Sequence, residues 1–227
     1  MLDFAQWEPL FEMFVIAQVQ GDSAHDIAHI RRVVALTKHL TEQSEANLAI
    51  TLPAAWLHDC VVVGKSDPLR RQASRLSAQR ARAQLINWYY PKQWIEPICH
   101  AIEAHSFSAD ITARTLEAKI VQDADRLDAL GAIGIARCFA VGGSLKRFIY
   151  QESDPFCLQR EPNDQVASLD HFYQKLLALP KTMSSDVGRQ EAERRVVFMQ
   201  AFLDELAHEL DHQYLSLLLG QSVKSDA

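Results

Sequence analysis

His29, the adjacent pair His58-Asp59, and Asp125 are the residues of this chain best suited to chemistry. Imidazole nitrogens and carboxylate oxygens are the donors that hold a hydrolytic divalent metal ion. His58 and Asp59 follow the apolar run Ala54, Ala55, Trp56 and Leu57, where a core normally avoids two polar side chains in succession. Asp125 lies among apolar residues in KIVQDADRLDALG, and a partly buried carboxylate needs a cation or several donors. One metal ion meets that need for all four groups together. Asp123 competes with Asp125: at this spacing the two point about 200° apart on a helix, so only one can face the ion.

Other candidates lie close in sequence. His25 and Arg32 flank His29 at helical spacing and can share its face. His25 suits contact with a phosphoryl oxygen, or is a polar residue at a helix start. Arg32 suits phosphate binding or the fixing of a ligating carboxylate, and a solvated face is the plainer reading. Lys65, Arg70, Arg71 and Arg75 form a basic run just after the His-Asp pair, in a chain of formal net charge −6. A loop that follows two ligands is placed to bring cations to a phosphate, although charge runs are commonly solvated. The reading favours Lys65 with one arginine, and names Arg71 and Arg75 among the substrate-binding candidates.

The order of these residues resembles the signature of the HD-domain metal-dependent phosphohydrolases, most closely the small bacterial YedJ-like group. HDIAHIRRV, AAWLHDCVVVGK, AIEAHSFS and KIVQDADRLDALGAIG carry the resemblance, over roughly the first two-thirds of the chain. It implies an all-helical core with His29, His58, Asp59 and Asp125 as ligands of one divalent ion. Asp125 is preferred to Asp123 because the family's aspartate precedes an Arg-Leu pair, here Arg126-Leu127. Asp123 then falls to a salt bridge with a nearby Lys or Arg, and Asp128 to a structural or supporting role.

Some HD enzymes place further histidines ahead of that aspartate to hold a second metal. Here only His105 fits such a position well, so one ion is expected, with His105 behind the ligands or transferring a proton. His100 reads as structural and Glu103 as a weaker alternative. The implied chemistry is phosphohydrolase chemistry. Asp59 ligates the ion and orients a water, Lys65 and nearby arginines offset phosphate charge, and His105 protonates the leaving oxygen. The implied partners are small phosphate monoesters or nucleotides, with pyrophosphate release included. Mn, Fe, Ni, Co, Zn or Mg all suit the cofactor site. Two other readings stand beside this one: a nucleotide-sensing HD module with little turnover, and a helical interaction protein. The complete ligand set argues against the first.

The 227 residues are 48% hydrophobic and 23% charged, which fits one substantial globular core better than two domains. An acidic balance argues against broad capture of nucleic acid. Cys60, Cys99, Cys138 and Cys157 form no CxxC pair, so a zinc ribbon is not expected. As scattered packing residues they fit a reducing cytosol, and a cytoplasmic location is expected. No apolar run approaches the roughly 18 residues of a membrane helix. The N-terminus carries Asp3, Glu8 and Glu12 with no basic start, and reads as neither signal peptide nor anchor.

Helical period dominates, so the fold class is all-α: an HD-type bundle with additional C-terminal helices, one domain over residues 1–227. The metal-site core spans about 22–135, an irregular loop or lid 142–165, and C-terminal helices 166–227. A first amphipathic helix carries Phe11, Phe14 and Val15, and Gly21-Asp22-Ser23 breaks it. Asp26 is placed to cap the helix of Ile30, Val33 and Val34. Pro53 suits the first turn of a helix that delivers His58-Asp59 at its end. A loop over 61–69 leads to a helix over 74–90 with Ser74 as its cap and Pro91 beyond it. Further helices are expected over 94–105, 116–130, 169–179 and 186–219. The last suits packing on the core or a homodimer.

Overall fold

The computed structural model describes residues 2–18, 27–63, 67–106 and 109–210. Among them run nine α-helices: α1 (Phe4–Gln18), α2 (Ile27–Glu42), α3 (Leu48–Leu57), α4 (Ala73–Asn87), α5 (Lys92–His105), α6 (Leu116–Leu127), α7 (Gly131–Ser144), α8 (Asp170–Gln174) and α9 (Asp186–Leu210). Two 3-10 segments, Pro68–Gln72 and Leu176–Thr182, precede α4 and follow α8. The described residues contain no strand, only an isolated bridge between Phe148 and Ala167. The all-α expectation holds. Asp26 and residues 211–219 lie outside the described residues.

Two apolar clusters share α2 and α6. The first joins Phe11, Ile30, Leu52, Leu57, Leu85, Ile98 and Val121. The second joins Val33, Leu40, Ile120, Leu127, Phe172 and Met199. In α2, Ile30 and Val34 serve the first cluster while Val33 and Leu40 serve the second. In α6, Val121 and Ile120 divide in the same way. A helix buried on two faces has little room for polar side chains unless each has a partner. That constraint shapes the site.

Local chemistry sets the ends of several helices. Asn47 caps α3 by accepting the Ala49 amide at 2.9 Å, and Thr115 caps α6 by accepting the Ala118 amide at 3.2 Å. Pro53 therefore sits inside α3 rather than in its first turn. It is tolerated because the carbonyl it deprives of an amide, that of Ala49, accepts instead from the Tyr90 hydroxyl at 2.7 Å. Ser74 does not cap α4: the helix starts one residue earlier, and Ser74 is buried in its first turn. A 3-10 segment feeds straight into α4, so the expected open N-terminus does not exist there.

Segment 142–165 begins in helix and is irregular beyond Ser144. Helix α7 continues through Gly142-Gly143 to Ser144. Further on, Arg160 and the Asn163 amide meet the fully buried Asp170 carboxylate, with Arg160 Nη2 at 2.8 Å and Asn163 N at 2.7 Å. The Asp154 carboxylate accepts the Leu158 and Gln159 amides at 3.0 and 2.8 Å. None of residues 142–165 lines the cavity described below. Among the described residues no single helix is long and apolar enough to cross a membrane.

Candidate metal centre and phosphate cavity

Four helices bring the candidate ligands together. His29 comes from the first turns of α2, His58 from the C-terminal end of α3, His105 from the last turn of α5 and Asp125 from α6. Asp59 follows His58 directly. His29 Nε2 lies 3.4 Å from Asp125 Oδ1, and His58 Nε2 lies 3.9 Å from the same oxygen and 3.7 Å from Asp59 Oδ2. His105 Nε2 lies 3.4 Å from Asp59 Oδ1. Two overlapping donor groups result, His29-His58-Asp125 and His58-Asp59-His105, each with its ligand atoms within 4.8 Å of one another.

The three imidazoles share one orientation. Each commits Nδ1 to an acceptor behind it: His58 to the Ala55 carbonyl at 2.7 Å, His105 to the Ile102 carbonyl at 2.6 Å, and His29 to Asp128 Oδ2 at 2.7 Å. With Nδ1 so engaged, each ring turns Nε2 toward the centre, the arrangement of metal-ligating histidines. His58 Nε2 is buried and has no hydrogen-bond partner. An orphaned basic nitrogen in a fully buried side chain, facing two carboxylates, fits a cation at that point. The His and Asp donor set fits a divalent transition metal.

The electrostatics follow from burial and from these neighbours. Burial pushes the His58 imidazole below its usual range and outweighs the pull of Asp59 and Asp125. Burial works the same way on His105, but its hydrogen bond to Asp59 and the charges of Asp59 and Asp125 prevail and raise it. Burial alone would raise Asp125, yet the three histidines hold its carboxyl well below the usual carboxylate range. Elsewhere, burial lifts the Cys60 thiol to about 12, so it stays protonated as a packing residue.

A cavity of about 650 Å³ opens from the centre. His29, Asp59, His105 and Asp125 form its floor, and Val61, Val62 and Val63 line one wall. Among the described residues the cations that line it are Arg70, Arg126, Arg137 and Lys175. Arg71 and Arg75 are exposed and do not line it; their neighbour Arg70 does, with Nη1 donating to the Val63 carbonyl at 2.8 Å. Arg70 and Arg71 lie on a 3-10 turn, which sends these adjacent arginines in different directions. Arg32 does not line the cavity either. It grips Asp128 from Nε at 2.6 Å, and thus fixes a carboxylate rather than offering itself to a phosphate. His25 and Lys65 lie outside the described residues.

Asp123 and Asp125 diverge along α6. Asp125 faces the cavity, while Asp123 is fully buried at the start of α9. There it accepts the Ser184 amide at 2.9 Å, the Ser185 amide at 2.7 Å and the Ser185 hydroxyl at 2.6 Å. These are amide and hydroxyl donors where the sequence suggested a lysine or arginine. His100 accepts the Arg114 amide at 3.1 Å, away from the centre. Arg126, Arg137 and Lys175 escaped the sequence reading. Arg126 adjoins Asp125 and was within reach of it, but Arg137 and Lys175 arrive from α7 and the end of α8, with no local signal.

The HD domain family matches residues 26–130. YpgQ of Bacillus subtilis, an uncharacterized protein, is 33% identical over 192 residues, covering 83% of this chain and 85% of its own length. The crystal structure of an HD-superfamily hydrolase from Bacillus thuringiensis is similar with a TM-score of 0.72 at 34% identity, covering 90% of this chain and 97% of that one. The structure of YpgQ in complex with ADP has a TM-score of 0.71 at 31% identity, over 90% of this chain and 95% of that one.

Proposed function

The chain belongs to the HD-domain family, and from that premise we propose that it is a metal-dependent phosphohydrolase acting on small phosphate esters or nucleotides. The observation that carries the proposal is the convergence of three Nε2 atoms and two carboxylates at the floor of a cation-lined cavity, with His58 Nε2 buried and orphaned. In this reading His29, His58, Asp59 and Asp125 hold one divalent ion. Such an ion acidifies water and polarises a phosphoryl oxygen.

The chain's own residues supply the rest. Asp59 has two oxygens, one toward His58 and one toward His105, so it can ligate and orient a water at once. His105 presents only Nε2 to the cavity and is placed to pass a proton to a leaving oxygen. Arg70, Arg126, Arg137 and Lys175 offset phosphate charge. The ADP bound by YpgQ supports a nucleotide or another phosphoanhydride as the ligand class. A cavity of about 650 Å³ accommodates a ligand of that size.

His105 also supports a second reading, in which it helps hold a second ion. Both donor groups, however, draw on His58, whose Nδ1 is already committed to Ala55. One remaining lone pair serves one ion, which favours a single site. Turnover of a panel of phosphate monoesters, nucleoside diphosphates and triphosphates, with Mn, Co, Ni, Zn or Mg added and products identified, tests the proposal. Hydrolysis that needs the metal supports it. Tight nucleotide binding without turnover under every metal moves the chain to the sensor reading.

A further inference from the structure

Asp128 is the C-cap residue of α6, three positions beyond Asp125. The same helix thus projects one carboxylate into the cavity and another behind His29. Asp128 is 1% exposed, and both its oxygens accept hydrogen bonds. Oδ2 accepts from His29 Nδ1 at 2.7 Å, from Arg32 Nη2 at 3.1 Å and from Arg137 Nη1; Oδ1 accepts from Arg32 Nε at 2.6 Å. A carboxylate offers about four acceptor positions, and four hydrogen bonds from protein donors already meet this one. Asp128 acts through its neighbours.

Those neighbours have different tasks. His29 faces the candidate metal centre, and a carboxylate on Nδ1 fixes its tautomer and strengthens its other nitrogen as a donor. Arg137 comes from α7 and lines the cavity, with 35% of its side chain exposed. Arg32 comes from α2 and does not line it. Two guanidinium groups on one carboxylate leave a surplus positive charge, and Arg137 is the one that reaches the cavity. Burial of an ion pair is seldom a strong source of stability, so an arrangement this dense points to specificity of position.

We propose that Asp128 is a shared anchor: one buried carboxylate that sets His29 for the metal ion and aims the Arg137 guanidinium at a phosphate of the substrate. The proposal rests on the metal-dependent phosphohydrolase reading above. Asp128 is a positioning residue for both partners, and Arg137 is a substrate-binding residue. Metal site and anion site therefore share a single support at the junction of α2, α6 and α7.

Three measurements on the full chain test this. The affinity for Mn(II), followed by the free-ion spin-resonance signal, should weaken by about 10–100-fold in Asp128→Asn. In Arg137→Gln it should stay within about twofold, while affinity for inorganic phosphate falls by about 10-fold. Circular dichroism establishes that each variant remains helical. Should Asp128→Asn fail to fold, the wild type loaded with zinc carries the test: nitrogen-15 spectra should place the His29 proton on Nδ1. A folded Asp128→Asn with wild-type Mn(II) affinity overturns the anchor, as does a His29 proton on Nε2 or unchanged phosphate affinity in Arg137→Gln. A wild type that binds no divalent ion from manganese to zinc overturns the metal reading itself, and the anchor with it.

Discussion

The Tyr90 hydroxyl donates to the Ala49 carbonyl at 2.7 Å, the acceptor that Pro53 leaves without its helical amide partner. The bond spans two elements, since Tyr90 follows α4 and Ala49 opens α3. It is possible because α4 ends with Tyr89 in the left-handed region at φ 58. The Tyr90 amide then returns to the Leu85 carbonyl at 2.9 Å and the Tyr89 amide to Ile86 at 3.0 Å, closing a Schellman turn. Helix α3 delivers His58, so the carbonyl that Pro53 leaves without its helical partner in front of the site is satisfied from outside the helix.

Tyr90→Phe should therefore destabilise the protein by about 1–3 kcal/mol, the cost of a buried carbonyl without a donor. Urea unfolding measures this. The ring and its packing against Trp7 and Trp94 are retained, so the loss isolates the hydroxyl. An unchanged unfolding midpoint would show that water reaches the Ala49 carbonyl.

Asp123 and Asp125 should separate in their effects. Asp125→Asn is expected to abolish tight binding of the divalent ion while leaving helicity intact. Asp123→Asn should keep the ion but lower stability by about 1–3 kcal/mol, because an amide cannot accept from all three Ser184 and Ser185 donors. Gly188→Ala should also destabilise, since a Cβ there would stand 2.5 Å from Asp123 Oδ2. Elemental analysis and thermal unfolding of the same preparations check both halves. Loss of metal from Asp123→Asn with Asp125→Asn unaffected would exchange the two assignments.

Glu191 gives the protein an acid-sensitive link. Arg194 and Arg195 hydrogen-bond its carboxylate and, against the opposing effect of burial, hold it down at about 2. Arg195 also donates to the Leu127 carbonyl at 2.7 Å, tying α9 to α6. A depressed carboxylate contributes stability above its unfolded pKa near 4.5, and loses it as pH falls toward 2. With Arg194 mostly exposed, the contribution at neutral pH is about 1–2 kcal/mol. Glu191→Gln should lose that amount at pH 7 and unfold with a flatter pH dependence between 4.5 and 2. Parallel curves for both proteins in that interval would remove Glu191 from the acid response.

The cations that line the cavity should outrank those that do not. Lys175→Ala is expected to raise KM for a phosphorylated substrate by about 3–10-fold, the effect of one partly solvated charge-assisted contact. Arg71→Ala and Arg75→Ala, both exposed and outside the cavity, should stay within about twofold. Steady-state kinetics on any substrate turned over by the wild type will order them. A larger effect from Arg75 than from Lys175 would return the phosphate site to the basic run.

The sequence by itself determined the helical class and the metal candidates. Helical period is a local property, and so is the placement of His58-Asp59 after an apolar helix. The divergence of Asp123 from Asp125 also followed from the turn of a helix alone. Which direction each took was settled by the residues just before α9, where Ser184 and Ser185 come to Asp123 from some sixty positions away. The same holds for Arg137 and Lys175, which reach the cavity from segments whose local sequence shows no functional pattern. Arg32 shows the reverse: its spacing from His29 made it a phosphate candidate, and Asp128, brought up by α6, claimed it. Local spacing fixes which way a side chain leaves its own helix. What it meets there depends on the packing of helices distant in sequence, and in this protein that packing selected the cations around the site.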